Sequence, residues 1–154
     1  MGQPCRSAGR AVSLPGPIVE FLDLLEMMPD RADRIETLIS LADSYKRVSE
    51  EEAPKPYPEN HRVPGCESEV FAWAFKEGNG VRFEFAVDNP QGISAMAWGA
   101  LLKSGLDGLS PKDIQEVPED LVYKVFGNEL SMGKSMGLMN MLRLCKTYAA
   151  HLES

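Results

Sequence analysis

Two short segments that alternate between apolar and polar residues constrain this chain more than any other feature. They cover residues 70–76 and 81–87. The residues between them, Glu77 to Gly80, end in the Asn-Gly pair typical of a hairpin turn. Two antiparallel strands alone are only marginally stable in water. The hairpin therefore needs a cover of helices or a third strand, for which residues 62–63 are the candidate.

Helical patterns occupy most of the remaining chain. Apolar residues recur there at intervals of three and four, and Pro, Ser, Asp or Asn stand where helices would begin. Helices are predicted over residues 17–27, 30–47, 91–104 and 134–152, with two short ones starting at Pro111 and Pro118. Helices followed by a hairpin and further helices indicate an α+β fold, in which a small antiparallel β-sheet packs against helices.

The length of 154 residues suits a single domain with a substantial core. We expect this domain to cover residues 17–152 and residues 1–16 to form a flexible N-terminal tail. The tail has two Arg, two Ser and no acidic residue, so a remnant of a transit peptide is the alternative. With a flexible tail we expect a cytoplasmic location. With a processed transit peptide the location would be a plastid or another organelle.

Charge and hydropathy argue against two classes of partner. The formal net charge of −7 disfavours nucleic acid, whose phosphates require a basic protein face. It also disfavours an anionic membrane surface, and no apolar run approaches the roughly 18 residues of a membrane span. Neither nucleic acid nor a membrane is predicted as a partner.

The three cysteines have different settings. Cys5 lies in the tail and Cys145 lies on the apolar stripe of the last predicted helix, which predicts a core position. Cys66 follows Gly65, between a Pro-rich stretch and the first strand. Glycine permits unusual backbone angles and close approach, so Cys66 is predicted to be presented to another molecule. No pair has CxxC spacing, which favours free thiols and a reducing compartment.

A single thiol limits the chemistry that the chain can perform. Metal and cluster sites need several converging ligands, and the chain has three Cys and two His, so no metal or cofactor is predicted. A cysteine that attacks carbon needs an oriented base, and His61 lies five residues before Cys66. Accepting sulfur as a persulfide and passing it on requires only one exposed thiol.

Charged neighbours in the sequence act on this thiol in opposite directions. The adjacent Glu67 and Glu69 raise the expected pKa of Cys66, since negative charge disfavours a thiolate. Arg62, His61 and Lys134 would lower this pKa if the fold brought them near.

The residues around Cys66 resemble a known signature. Gly65-Cys66-Glu67-Ser68-Glu69-Val70 is similar to the Gly-Cys-x-Ser-x-Val motif of the SufE-like sulfur acceptor proteins of iron–sulfur cluster biogenesis. The resemblance spans about residues 17–152 and implies a SufE/IscU-like fold. Weaker similarities occur in the family's order at Pro29–Asp30 with Arg34, at Ser110–Ile114 and at Leu130–Leu138.

This resemblance implies a function. Cys66 corresponds to the acceptor thiol, with Gly65, Ser68, His61, Arg62 and Lys134 as supporting residues. The partner is a SufS-like cysteine desulfurase, which carries the pyridoxal phosphate, and the sulfur passes on to an iron–sulfur scaffold. The protein is then a sulfur carrier and desulfurase activator, not a stand-alone enzyme. The resemblance also implies that the loop carrying Cys66 tucks over an apolar cavity when unbound and swings out toward its partner.

Departures from the family and other functions stay open at this stage. Lys134 lies in a segment where the family commonly has Arg, so it keeps the charge but lacks the planar bidentate fork. The alternatives are an IscU-type iron–sulfur scaffold, an enzyme that uses Cys66 on carbon, and a non-catalytic adaptor with an incidental thiol.

Overall fold

Six α-helices and one two-stranded antiparallel sheet make up the described part of the chain, residues 14–66, 69–89, 92–127 and 130–153 of a computed structural model. This arrangement confirms the predicted α+β class. The elements, in chain order, are α1 (Gly16–Glu26), α2 (Arg31–Asp43), β1 (Val70–Glu77), β2 (Gly80–Val87), α3 (Ile93–Leu106), α4 (Pro111–Gln115), α5 (Leu121–Phe126) and α6 (Met132–Glu153).

The hairpin forms over the two predicted segments and buries one face against helices. Strand pairing runs from Val70 opposite Val87 to Glu77 opposite Gly80. Phe83 and Phe85 are among the largest fully buried side chains, and they join a core shared with α3 and α6. This helical cover supplies the stability that two strands alone lack.

The opposite face of the hairpin is covered by the Pro-rich stretch that precedes it. Trp73 and Phe71 pack with Tyr57, whose ring centroid lies 5.2 Å and 5.0 Å from theirs respectively. Val48 and Ala53 are buried in the same cluster. The acidic run at 50–52 is exposed to solvent. The stretch is therefore a loop that closes a second small core.

Isolated bridges extend the sheet at both edges. Arg62 pairs with Phe71, and the Val63 amide donates to the Val70 carbonyl at 2.8 Å. The predicted third strand is thus one bridge long. At the other edge Arg47 pairs with Phe85.

The second helix is shorter than predicted. It ends at Asp43, so the predicted limit at residue 47 is wrong. The chain leaves the helix to lie along β2, where the Tyr45 hydroxyl accepts a 2.8 Å bond from the Val87 amide. Arg47 donates to the Asp88 carboxylate. These contacts with the sheet outweigh the helical pattern.

One face of α6 closes the main core. Leu138, Met141, Leu142, Cys145 and Ala149 on this face are buried. The indole of Trp98 in α3 donates to the Leu138 carbonyl at 2.8 Å and joins the two helices. The predicted core position of Cys145 is confirmed, since none of its surface is exposed.

We expect Cys145→Ser to lower the free energy of unfolding by about 1–3 kcal/mol, because it places a hydroxyl in an apolar site. Urea denaturation measures this change. Cys66→Ser is the matched control: that sulfur is only partly buried, and the expected change is less than about 1 kcal/mol. Equal losses in both variants would contradict the core assignment.

Candidate functional site

Cys66 lies where the chain passes from the edge of the hairpin to the surface of α6. Val63 is buried and is held to β1 by its amide. Three residues later, Cys66 packs against the main core as a half-buried, free thiol. Between them Gly65 has a φ of +76°, a backbone conformation that side chains disfavour. The predicted glycine turn is present, but the sulfur faces the protein instead of projecting outward.

Gly137 of α6 is the residue against which the Cys66 thiol packs. The Cys66 sulfhydryl donates to the Gly137 carbonyl, with Sγ 3.4 Å from the oxygen. A Cβ at position 137 would lie 3.0 Å from both Cα and Sγ of Cys66, and 3.1 Å from the Gly65 carbonyl oxygen. These distances are tighter than ordinary packing allows, so the segment lies this close because position 137 has no side chain.

Asn140, three residues further along α6, contacts the same segment. Its Nδ2 donates to the Pro64 carbonyl at 2.8 Å. A Cβ at Gly65 would approach that nitrogen to 3.0 Å. Residues three apart lie on one face of a helix, so Gly137 and Asn140 together hold residues 64–66, called here the thiol segment, against α6.

Burial raises the pKa of the Cys66 thiol to about 11. The sequence left the balance of neighbouring charges open, and the cause of the raised pKa is burial, not any of those charges. Glu69 is exposed, and Glu67 lies outside the described residues. The thiolate is the nucleophilic form of cysteine, so this closed arrangement keeps the sulfur protonated and unreactive.

His61 makes its contacts at the aromatic cluster around Trp73, in the second small core. Its Nδ1 lies 2.8 Å from the Ala72 carbonyl oxygen, and because a carbonyl only accepts, Nδ1 carries the proton. The ring stacks on Trp73 with 5.3 Å between centroids, and Nδ1 lies 3.3 Å from the Tyr148 hydroxyl. These contacts hold the chain in place just before the thiol segment.

The other predicted supporting residues lie in separate places. Arg62 pairs with Glu59 at 3.3 Å. Lys134 lies in the first turn of α6, where it and Arg31 line a largely apolar groove of about 300 Å³. Ser68 lies outside the described residues. Of these predicted residues, only Gly65, the neighbour of Cys66 in the chain, lies beside it in the described contacts.

The sequence patterns did not identify Gly137 and Asn140 as site residues. An isolated glycine inside a long helix lowers its stability by about 1 kcal/mol relative to alanine and often marks a close approach, which was the available signal. No comparable pattern identified Asn140, because its partner is a backbone carbonyl 76 positions away.

Neither a metal centre nor a membrane span is found in the described ranges. Across them, no group of three or more His, Cys, Asp or Glu side chains is placed to hold a metal ion. No helix among the same residues is both long and apolar enough to span a membrane.

Alkylation of Cys66 should depend on pH as burial requires. In the folded protein the iodoacetamide rate should rise about tenfold per unit between about pH 7 and pH 10 without levelling, because the thiolate fraction still grows toward a pKa of about 11. In urea the same profile should level near the ordinary pKa of 9.0. Peptide mapping assigns the label to Cys66, and identical profiles in the two states would contradict a buried thiol.

Gly137→Ala should displace the thiol segment while the helix stays intact. Its added methyl group meets the Cys66 sulfur and Cα, so we expect alkylation of Cys66 to accelerate several-fold. Gly99→Ala is the matched control, because Gly99 is also a buried helical glycine but its Cβ would meet the Phe85 ring at an ordinary 3.5 Å. A wild-type alkylation rate in folded Gly137→Ala would show that position 137 does not seat the thiol.

A solved structure and a curated relative resemble this chain. The solution structure of a hypothetical protein from Thermus thermophilus covers 92% of this chain and 100% of its own length, with a TM-score of 0.72. Its sequence identity is 24%, so it supports the fold alone. SufE-like protein 1, chloroplastic/mitochondrial, of Arabidopsis thaliana is 29% identical over 142 residues. That alignment covers 91% of this chain and 36% of the relative, so the chain spans about a third of that protein's length.

A protein-family model also matches most of the chain. The family model of SufE, described as an Fe-S metabolism associated domain, matches residues 19–149. This range includes the hairpin, the thiol segment and most of α6. The chain belongs to the SufE family, which is associated with Fe–S metabolism.

Proposed function

We propose that the protein accepts sulfur on Cys66 from a pyridoxal-phosphate-dependent cysteine desulfurase and relays it to an iron–sulfur cluster scaffold. The observation that supports this most directly is a free, partly exposed thiol. It lies at the end of a segment that a few polar contacts and close packing on Gly137 hold against α6. Membership of a family associated with Fe–S metabolism gives this thiol its context.

The transfer is a thiol–persulfide exchange. The Cys66 thiolate attacks the outer sulfur of a persulfide on the desulfurase cysteine, and a bond forms between these two sulfur atoms. The bond from the outer sulfur to the desulfurase cysteine breaks, and that cysteine leaves as a thiolate. Cys66 then carries a persulfide, with no net oxidation. Attack on its outer sulfur by a thiolate of the scaffold repeats the exchange and regenerates the thiol.

Desulfurase activation follows from the same step. A desulfurase that holds a persulfide must lose that sulfur before its cysteine can act again, so removal by Cys66 increases turnover. Pyridoxal phosphate belongs to the desulfurase and performs the carbon–sulfur bond cleavage there. This chain supplies a sulfur-accepting half-reaction, which makes it a carrier more than a stand-alone enzyme.

The contacts of His61 favour sulfur transfer over attack on carbon. A cysteine hydrolase needs a base within hydrogen-bond reach of the sulfur. Among the described residues the Cys66 thiol donates to the Gly137 carbonyl, and no hydrogen bond joins it to the His61 ring. Exchange between sulfur atoms needs a thiolate and access to its partner, both of which follow when the thiol segment leaves α6.

The location proposed here is an organelle. The Arabidopsis relative is named as chloroplastic/mitochondrial. This favours the organellar alternative over the cytoplasmic expectation. Residues 1–13 of the tail lie outside the described residues.

Anaerobic intact-protein mass spectrometry tests the sulfur relay. After incubation with a cysteine desulfurase and free cysteine, the protein should gain the mass of one sulfur atom, and peptide mapping should place it on Cys66. Cys66→Ser should gain no sulfur and should not increase alanine release by the desulfurase.

Cys145→Ser controls for the second described cysteine. It should still gain one sulfur at a temperature at which it is folded, because Cys145 is buried in the core. Absence of a sulfur gain on wild-type protein whose Cys66 can be alkylated, tested with a desulfurase that forms its own persulfide, would contradict the carrier function.

A further inference from the structure

We propose that Asn140 is a positioning residue that holds the thiol segment closed on α6, and that Arg143 orients its amide for this task. The inference deepens the proposed function, because it identifies what controls access to the accepting sulfur. Its direct test uses alkylation and does not depend on sulfur transfer.

The bond from Asn140 joins two distant parts of the chain at the point where the thiol segment becomes free of the hairpin. Val63 is buried and bonded to Val70, so it stays with the sheet. Pro64 is the next residue, and its carbonyl accepts the 2.8 Å bond from Asn140 Nδ2. The bond therefore holds the first residue that can move when the sulfur leaves α6.

Arg143 determines which end of the Asn140 amide faces the thiol segment. A guanidinium only donates, so its Nη1, at 3.4 Å, takes the Asn140 Oδ1 as acceptor. The Asn140 Nδ2 group is then the end directed at Pro64. Arg143 is itself held by Glu119, with 2.8 Å between Nε and Oε1. Glu119, Arg143 and Asn140 thus form a chain of contacts that ends at the thiol segment.

The bond to Pro64 is transmitted to the sulfur through a short, constrained stretch. Proline fixes its own φ, so rotation about the Cα–C bond is the main freedom left to the Pro64 carbonyl, and the Asn140 bond restrains that rotation. Gly65, at φ +76°, is the flexible position between that carbonyl and Cys66. Besides the packing of Cys66 against the core, two hydrogen bonds hold the sulfur in place: the Asn140 bond at Pro64 and the weak bond from the Cys66 thiol to Gly137. The first is the stronger, since a thiol is a poor donor.

Loss of the Asn140 bond should shift the segment toward its open state by a measurable factor. One ordinary hydrogen bond contributes about 1 kcal/mol net, which corresponds to about a fivefold change in an equilibrium. Leucine has the branching and nearly the size of asparagine but no donor. We expect Asn140→Leu to alkylate about fivefold faster at Cys66 with iodoacetamide near pH 8, and its rate should level at a lower pH than that of the wild type.

Gln115→Met is the matched control. Gln115 Nε2 also donates to a backbone carbonyl, that of Lys146 in α6, at 2.7 Å. Both substitutions remove a neutral side-chain donor from a backbone carbonyl without adding charge, and they should change thermal stability by similar amounts. Only Asn140→Leu should change the alkylation rate and its pH profile, which a purely structural role would leave unmoved.

Arg143→Met supplies a second, milder perturbation that leaves Asn140 in place. Exposed contacts of this kind contribute little, so an acceleration of about twofold is expected. Folded Asn140→Leu with the wild-type alkylation rate would overturn the proposal. Should Asn140→Leu not fold, an unchanged rate in Arg143→Met would overturn it. Faster alkylation without any persulfide in the mass experiment would leave the positioning role standing and remove the sulfur-carrier function.

Discussion

The structure depends on burying both faces of a hairpin that is too small to stand alone. Helices cover Phe83 and Phe85 on one face, and the Pro-rich loop covers Trp73 on the other. The loop then runs directly into the thiol segment, and Val63 joins it to the edge of β1. The position of Cys66 is therefore a consequence of how the hairpin is covered. A change in the aromatic cluster around Trp73 reaches the thiol through only a few residues of chain.

Burial and reactivity of the thiol oppose each other. With a pKa of about 11, roughly one Cys66 in three thousand is a thiolate at about pH 7.5. A cysteine with the ordinary pKa of 9.0 is about 3% thiolate at that pH. Return to that ordinary value on release from α6 would raise the reactive fraction about a hundredfold. The closed arrangement protects the sulfur from oxidants and stray electrophiles, and a partner that stabilises the open segment gains a nucleophile.

The sequence predicted the parts of this molecule that follow from local patterns. Alternation located both strands, helical spacing located the main helices, and the glycine before Cys66 marked its turn. The end of α2 was missed because contacts of Tyr45 and Arg47 with a strand 40 residues later override the helical pattern. The contacts of the thiol segment with α6 were not predicted, for the same reason. Gly137 and Asn140 meet the segment only in three dimensions, and periodicity carries no information about such pairs.

The same helix serves the core and the thiol on different faces, and this decides which part moves. Leu138 lies between Gly137 and Asn140, and its carbonyl accepts the bond from the buried Trp98 indole. Moving this turn of α6 away from Cys66 would break that bond and open the core. Moving residues 64–66 breaks the hydrogen bond from the Asn140 side-chain amide and the weak hydrogen bond from the Cys66 thiol. The lower cost lies with the segment, so in the proposed opening residues 64–66 are the part that moves and α6 is the part that stays in place.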